Sequence, residues 1–329
     1  MDGIKPGQPA LSVQNLEITF PTRQGNLRAV AGISYAIEAG RTLGIVGESG
    51  SGKSVTALAV MGLIPAPGRR TRGHVLIGGD ELDTNDEAAM TRIRGARVSM
   101  IFQEPMTALN PVLTVGAQIS EAWALHHPGE GNAARDAALD MLKRVGIPEP
   151  LRRYKSYPHE MSGGMRQRVM IAMALACQPE ILIADEPTTA LDVTIQAQII
   201  DLMAEMQEEF GMAIQFISHN LGVVSEIADD VVVMYAGRIV EQASAQEIFS
   251  QPLHPYTRAL IATVPRIGVH TSRLPAIAGT VPHPLALPAG CAFSDRCPRA
   301  APACHAGEPA LENHGAGHLV ACFLAGEGS

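Results

Sequence analysis

Alternating hydrophobic and polar positions predict the first strands of the fold. Residues 11–20 alternate clearly and residues 29–37 less regularly, as is typical of half-exposed antiparallel strands. Continuous apolar runs predict buried strands at 41–46, 74–77, 98–102, 181–185, 214–218 and 231–235. Ala236-Gly237 follows the last run and predicts a hairpin into residues 238–242.

Helical periodicity dominates between about residues 105 and 178, most clearly at 112–125 and 133–145. Because apolar strands precede and follow this block, we predict an α/β fold with a largely parallel sheet and an inserted helical subdomain. Beyond about residue 251, Pro, Ala, Gly and His become frequent and the periodicity fades. We therefore predict a main domain at residues 1–250, and an appendage at 251–329 that is held by something other than a large core.

A glycine-rich segment directly after the run at 41–46 has the pattern of a phosphate-binding loop. Its residues are Gly47, Glu48, Ser49, Gly50, Ser51, Gly52, Lys53 and Ser54. Such glycines let backbone N–H groups converge on phosphate oxygens, while the lysine adds charge and the Ser54 hydroxyl can bind Mg²⁺. A helix beginning near Lys53 would direct its positive end at the same anion. A plain Gly-Ser turn is the alternative, and the strand before and the helical pattern after the loop count against it.

Two carboxylates, Asp185 and Glu186, emerge at the end of the apolar run at 181–185. Open α/β sheets bind ligands at the carboxyl ends of their strands. Asp185 is therefore a candidate Mg²⁺ ligand, and Glu186 is a candidate general base for an attacking water. A strand that merely ends in solvated acids is the alternative.

Three further features could complete a phosphate-hydrolysing site. Gln103 follows the strand at 98–102 and could reach Mg²⁺ or the water, and His219 follows the strand at 214–218 and could touch a γ-phosphate. A lone histidine at a strand end is more often structural. Ser162-Gly163-Gly164 precedes a basic helical segment and forms a second anion-binding helix start. One nucleotide does not need both helix starts on one chain, so a head-to-tail dimer is the economical arrangement.

Composition limits the range of functions. The chain has 329 residues and a net charge of −8, and 4% of its residues are aromatic, which argues against a nucleic-acid partner. No run of residues is long and apolar enough to span a membrane, and the first residues lack the pattern of a secretory signal. A cytoplasmic protein is therefore expected.

Cysteine placement is strongly asymmetric. Four of the five cysteines lie beyond residue 290, at Cys291, Cys297, Cys304 and Cys322. A segment with so little core usually needs a covalent or metal link, and cytoplasmic disulfides are disfavoured. Thiolates suit an iron–sulfur cluster or zinc, and unligated or disulfide-bonded cysteines are the third alternative. Nearby histidines at 305 and 314 could replace a thiol, although surface roles suit them as well.

These motifs, in this order, resemble those of the ATP-binding subunits of ABC transporters. Gly47 to Ser54 matches the Walker A motif and residues 181–186 the Walker B motif. Gln103 matches the Q-loop, Ser162-Gly163-Gly164 the signature, Asp192 the D-loop and His219 the switch histidine. The resemblance covers residues 11 to about 250.

This resemblance implies a P-loop NTPase with an antiparallel β subdomain, which binds ATP, and Mg²⁺ held through Ser54, Gln103 and Asp185. Phe20 would stack on adenine. One departure is Met165, which stands where the family usually has glutamine. Any contact of that glutamine with ribose would be lost, and we expect activity to survive.

Segments 103–111, 157–168 and 252–257 look like those of the dipeptide/oligopeptide importer ATPases. That likeness implies a second ATPase subunit, usually a different chain, with two membrane permeases and an extracytoplasmic solute-binding protein. The chain would then lie at the cytoplasmic face of the membrane. The four-cysteine segment is similar to one that holds a [4Fe–4S] cluster in some of these proteins, with Zn²⁺ as the alternative.

A soluble ABC ATPase of DNA repair or translation is the alternative function. No long coiled-coil segment lies between Gln103 and Ser162, and the chain has a single cassette. Both observations count against that alternative, and the sequence does not identify the transported solute.

Overall fold

The computed structural model describes residues 7–103, 108–189, 191–264 and 276–326. Its contacts divide the chain into two compact units that alternate along the sequence. The first unit comprises Met1–Leu11, Ile37–Arg41 and Ile77–Gln215, and the second comprises Ser12–Ala36, Thr42–Leu76 and Phe216–Ser329. This division does not follow the predicted boundary at residue 250, and the predicted domain limits stay a prediction.

Helices and strands occupy most of the described residues. The strands are β1 Leu11–Thr22, β2 Gly25–Ile37, β3 Thr42–Val46, β4 Arg69–Ile77, β5 Asp80–Glu81, β6 Val98–Ile101, β7 Ile181–Asp185, β8 Ala213–Ser218, β9 Asp230–Tyr235, β10 Arg238–Ser244, β11 Glu312–Asn313 and β12 Leu319–Val320. The helices are α1 Lys53–Val60, α2 Glu87–Ile93, α3 Val115–Ala124, α4 Gly131–Arg144, α5 Pro150–Arg153, α6 Gly163–Leu175, α7 Val193–Phe210, α8 Leu221–Ile227, α9 Ala245–Ser250, α10 Pro255–Ala262 and α11 Pro302–Ala306. Within these residues, no helix is both long and apolar enough to cross a membrane.

The first unit contains the predicted helical block beside a parallel strand pair. Strands β6 and β7 pair in parallel, and every residue of both strands is buried. Helix α3 packs against α4 and α6, and the Thr114 side chain caps α3 by accepting the N–H of Ala117. The strand and helix predictions for this part of the chain are confirmed to within a few residues.

The second unit contains a row of strands in the order β11-β12-β10-β9-β3. Strands β3 and β9 are parallel, whereas β9 and β10 form the predicted antiparallel hairpin. Ala236 and Gly237 both have left-handed φ values, 48° and 81°, as expected for the middle residues of a tight hairpin turn. Strands β2, β1 and β4 lie side by side in a second sheet.

Strand β4 is longer than predicted, because it begins at Arg69 and the apolar run begins only at residue 74. Its first half is mostly exposed and rich in arginine, and only Val75 and Ile77 are buried. A strand can be recognised in the sequence by the hydrophobic residues that it buries. The first half of β4 buries none, so its sequence shows no hydrophobic pattern.

The C-terminal segment shares the core of its unit, whereas the sequence predicts an appendage that is held by something other than a large core. Strand β12 pairs with β10, and Phe293 is fully buried with its ring 5.3 Å from that of Tyr235 and 5.4 Å from that of Tyr256. These aromatic residues are far apart in the sequence, so they produce no local periodicity.

Candidate functional site

The glycine-rich loop lies between β3 and α1, as predicted. Gly47, Gly50 and Gly52 have backbone φ values of 152°, 80° and 100°, which residues other than glycine rarely adopt. A Cβ atom on Gly47 would lie 2.2 Å from the Met234 carbonyl oxygen. The backbone therefore curls tightly against β9, and the loop depends on glycine at these positions.

Lys53 is buried at the start of α1 and points back over the loop. Its Nζ donates to the carbonyl oxygens of Gly47, at 2.7 Å, and Glu48, at 3.0 Å, and to the Ser51 hydroxyl at 3.4 Å. An ammonium group has three donors, and three loop oxygens lie within hydrogen-bonding distance of it. A bound polyanion would offer more strongly charged acceptors at the same place.

Glu48 is fixed by residues from the C-terminal part of the chain. Its backbone N–H donates to the Tyr256 hydroxyl at 2.8 Å. Its carboxylate accepts two hydrogen bonds from the guanidinium of Arg296, at 2.8 and 3.1 Å. Neither partner could be found by sequence reasoning, because Tyr256 is separated from Glu48 by 208 positions and Arg296 by 248.

Asp185 and Glu186 occupy the end of β7 in the first unit. Asp185 is buried. Glu186 has a left-handed φ of 49°, which is uncommon for a residue with a side chain and is often found at functional sites. Its carboxylate oxygen accepts hydrogen bonds from Gln103 Nε2 at 3.1 Å and from the Thr189 hydroxyl at 3.0 Å. The structure therefore brings together the predicted general base and Gln103, and it adds Thr189, which sequence reasoning missed.

Ser162, Gly163 and Gly164 form the start of α6, and Ser162 and Gly163 are exposed. The Ser162 hydroxyl caps the helix by accepting the N–H of Met165 at 3.3 Å. Further along the helix, the buried Gln167 side chain donates to the Pro187 carbonyl oxygen. This hydrogen bond, which sequence reasoning also missed, ties the signature helix to the residue after Glu186.

Two other predicted residues lie at element ends. The Asp192 carboxylate caps α7 by accepting the N–H of Ile195 at 2.9 Å, and His219 is exposed directly after β8.

Phe20 lies near the end of β1. Its ring packs closely on Gly68, so that a Cβ atom added to Gly68 would lie 2.4 Å from the ring. Phe20 and His219 belong to the unit of the phosphate loop, whereas Asp192 belongs to that of Glu186.

All four C-terminal cysteines line one small cavity, together with His254, Phe293 and Phe323 among others. Burial raises the pKa of the Cys291, Cys297 and Cys322 thiols, and repulsion from neighbouring thiolates raises it further. Such thiols stay protonated unless a cation stabilises the thiolate. Among the described residues, no group of three or more His, Cys, Asp or Glu side chains has the arrangement needed to hold a metal ion.

Comparison with known families gives two matches along the chain. Residues 30–189 match the ABC transporter family, and residues 240–304 match the C-terminal region of oligopeptide/dipeptide transporters. The first match contains the glycine-rich loop and Glu186, and the second contains Tyr256 and three of the four C-terminal cysteines.

Similar proteins cover nearly the whole chain. A probable peptide ABC transporter ATP-binding protein of Sinorhizobium fredii is 51% identical over 96% of this chain and 95% of its own length. The dipeptide transport ATP-binding protein DppD of Escherichia coli is 49% identical over 95% of both chains. Among solved structures, the ATP-binding cassette MJ0796 bound to ADP and Pi is 28% identical, with a TM-score of 0.64, and the match covers 71% of this chain and 98% of that one.

Proposed function

Because this chain belongs to the ABC transporter family, as an ATP-binding subunit, we propose that it hydrolyses ATP to drive the import of di- or oligopeptides. The observation that carries the ATPase part is the glycine loop, whose left-handed glycines and buried Lys53 form a cradle for phosphates. The peptide substrate is supported by the C-terminal match and by relatives named as peptide transport proteins. The same match counts against a soluble ATPase of DNA repair or translation.

In the phosphate loop, Lys53 and the backbone N–H groups bind the β- and γ-phosphates. Lys53 exchanges the loop carbonyls that it now contacts for phosphate oxygens, which are stronger acceptors. Ser54, at the first turn of α1, would ligate Mg²⁺, and Phe20 would stack on the adenine ring. A bound Mg²⁺ would supply positive charge that stabilises the phosphates.

Asp185 and Gln103 would also hold Mg²⁺, and Glu186 would take the proton of the attacking water. The Gln103 amide donates to the Glu186 carboxylate at 3.1 Å, so it is placed to orient this base. His219 would contact the γ-phosphate from its exposed place after β8.

The signature residues Ser162, Gly163 and Gly164 act on the nucleotide of the other subunit in a head-to-tail dimer. Exposure of Ser162 and Gly163 at a helix start supports this assignment, because a partner's phosphate can reach them. Asp192 would lie in the same interface. The partner is a second ATPase subunit, and the subfamily resemblance favours a different chain.

Two membrane permeases and an extracytoplasmic solute-binding protein would complete the importer, with this chain at the cytoplasmic face of the membrane. A groove of about 230 Å³ in the first unit is the proposed permease contact. Its lining includes Met100, Met170 and Met173, whose flexible side chains adapt to a partner, and Phe102, which is 41% exposed. Gln103 follows Phe102 directly, so docking there would reach the residue that holds Glu186.

The four C-terminal thiols would hold a [4Fe–4S] cluster. The observation that supports this proposal is that all four cysteines line one cavity, and thiolates are the ligands that such a cluster takes. The cavity has a volume of about 10 Å³, so the thiols would have to move outward to admit a cluster. Zn²⁺ is the alternative.

Co-purification tests the proposed assembly. Tagged wild-type chain, expressed with its neighbouring genes, should retain two permeases and a second ATPase when extracted in mild detergent, and subunit mass analysis should identify them. Recovery with ribosomes or DNA in place of permeases would favour the soluble alternative. A Phe102→Asp variant, which adds a charge to the exposed part of the groove, should lose the permeases, whereas Glu312→Lys on the exposed β11 should retain them.

A further inference from the structure

A short turn of the four-cysteine segment reaches the phosphate loop. Arg296 is the last residue of a one-turn helix, Ser294–Arg296, that lies between Cys291 and Cys297. Its side chain is 5% exposed and makes a paired contact with the Glu48 carboxylate.

All donors of Arg296 have partners in this position. Besides Glu48, the guanidinium donates to the Ala278 carbonyl at 2.8 Å, the Gly279 carbonyl at 3.4 Å and the Tyr235 hydroxyl at 3.3 Å. Its carbon Cζ also lies 5.7 Å from the centre of the Tyr235 ring. A buried guanidinium with this many partners has little freedom to rotate, so it presents a fixed fork to Glu48.

Glu48 is in turn a structural centre of the phosphate loop. Its carbonyl oxygen accepts hydrogen bonds from Lys53 Nζ at 3.0 Å and from the Ser51 N–H at 3.2 Å. Its own N–H is held by the Tyr256 hydroxyl. The Arg296 fork therefore fixes the side chain of a residue whose backbone orients both Lys53 and the following N–H groups.

We propose that Arg296 is a positioning residue for the phosphate loop, and that through it the four-cysteine segment sets the affinity for nucleotide. This inference rests on the proposed function, since it assumes that the loop binds ATP. Arg296 does not touch the nucleotide. It acts by holding the Glu48 side chain in place. Without Arg296 the loop would be less ordered before binding, so part of the binding free energy would be needed to order it.

Backbone hydrogen bonds connect the cysteines to the residue pair Arg296 and Glu48. The Ser294 N–H donates to the Cys291 carbonyl at 2.9 Å, and the Cys297 N–H donates to the Ser294 carbonyl at 3.2 Å. The position of Arg296 therefore depends on both flanking cysteines. A change at the thiols, by ligation or by substitution, would therefore be passed to the loop through Arg296.

A double-mutant cycle tests this connection. The dissociation constant of a fluorescent ATP analogue is measured on the full-length chain for Arg296→Gln, Glu48→Gln and the double variant. Each single variant should bind about tenfold more weakly, and the double variant should be no weaker than the singles, because both remove the same contact. Arg296→Lys keeps the charge but not the fork, so it should restore only part of the affinity.

Arg238→Gln is the matched control. Arg238 also pairs with a carboxylate of the C-terminal segment, because its Nη2 donates to Glu308 at 2.9 Å, and its partner is not part of the phosphate loop. This variant should bind the analogue like the wild type. In the assembled complex, Arg296→Gln should raise the KM for ATP with little change in kcat, because the loop holds ground state and transition state alike.

Cys297→Ser adds a test of the cysteine connection. It should weaken binding in the wild-type background and have no further effect in the Arg296→Gln background. Wild-type affinity in Arg296→Gln, equal weakening in Arg238→Gln, or an equal effect of Cys297→Ser in both backgrounds would overturn the proposal. Failure of the wild-type chain itself to bind the analogue would instead reject the proposed function.

Discussion

His254 should make the stability of this protein depend on pH in a predictable way. Its side chain is 1% exposed, and its Nδ1 accepts the N–H of Tyr256 at 3.0 Å as the cap of α10. Protonation of Nδ1 would remove that acceptor and place a charge in the core. Burial accordingly lowers the pKa of His254 from 6.5 to about 3.

The sign of the effect follows from which state binds the proton. Between pH 6.5 and 3 the unfolded chain protonates His254 and the folded chain does not, so the free energy of unfolding falls as the pH falls. At about 1.4 kcal/mol for each pH unit, His254 should lower it by about 2–3 kcal/mol at pH 4.5 relative to pH 7.5. Its contribution is constant above about pH 6.5.

Urea unfolding of the wild type and of His254→Asn at both pH values measures this contribution. An asparagine side chain also caps helices but does not titrate, so the variant should lose about 2–3 kcal/mol less on acidification. The carboxylate of Glu241 accepts the backbone N–H of His254. Glu241 and the other titrating groups are present in both proteins, so their contributions to the pH dependence cancel in the difference. His314→Asn, at an exposed position, should behave like the wild type. Equal acid sensitivity of wild type and His254→Asn would refute the reasoning.

Three further predictions concern the chemistry of the site. Lys53→Ala should weaken binding of the ATP analogue by about fiftyfold, because a charge-assisted hydrogen bond contributes about 1.5–3 kcal/mol. Isothermal titration calorimetry measures this affinity, and wild-type affinity in the variant would contradict the assignment of the phosphate loop. Glu186→Gln should keep nucleotide binding but stop turnover, so that a closed dimer accumulates in size-exclusion chromatography with ATP; unchanged turnover would reject Glu186 as the base. Cys304→Ser should reduce iron content and the visible absorbance of anaerobically purified protein, and wild-type protein with zinc or no metal would contradict the cluster.

Local chemistry made part of the fold predictable from the sequence. The strand, glycine loop and helix at 42–60 use residues that are adjacent in the chain, and the left-handed turn at Ala236-Gly237 closes a hairpin between neighbouring strands. Gln103 and Glu186 were assigned through the order of the motifs, and the structure places the two side chains 3.1 Å apart.

Long-range contacts were beyond prediction from one sequence. Arg296 lies in a segment without periodicity, and nothing local indicates that its fork fits Glu48. The hydrogen bond from Gln167 to Pro187 depends on how α6 packs near the end of β7, which propensity does not determine. The core of the C-terminal segment was missed for the same reason, because Tyr235, Tyr256 and Phe293 meet only in three dimensions.

ATP hydrolysis by the assembled complex tests the central claim most directly. The chain, co-purified in lipid nanodiscs with the proposed permeases and second ATPase subunit, should release phosphate from MgATP. Release should increase when peptide-loaded solute-binding protein is added. Glu186→Gln in the same complex should abolish this release. A complete, well-folded complex that binds ATP but releases no phosphate with or without peptide would contradict the account.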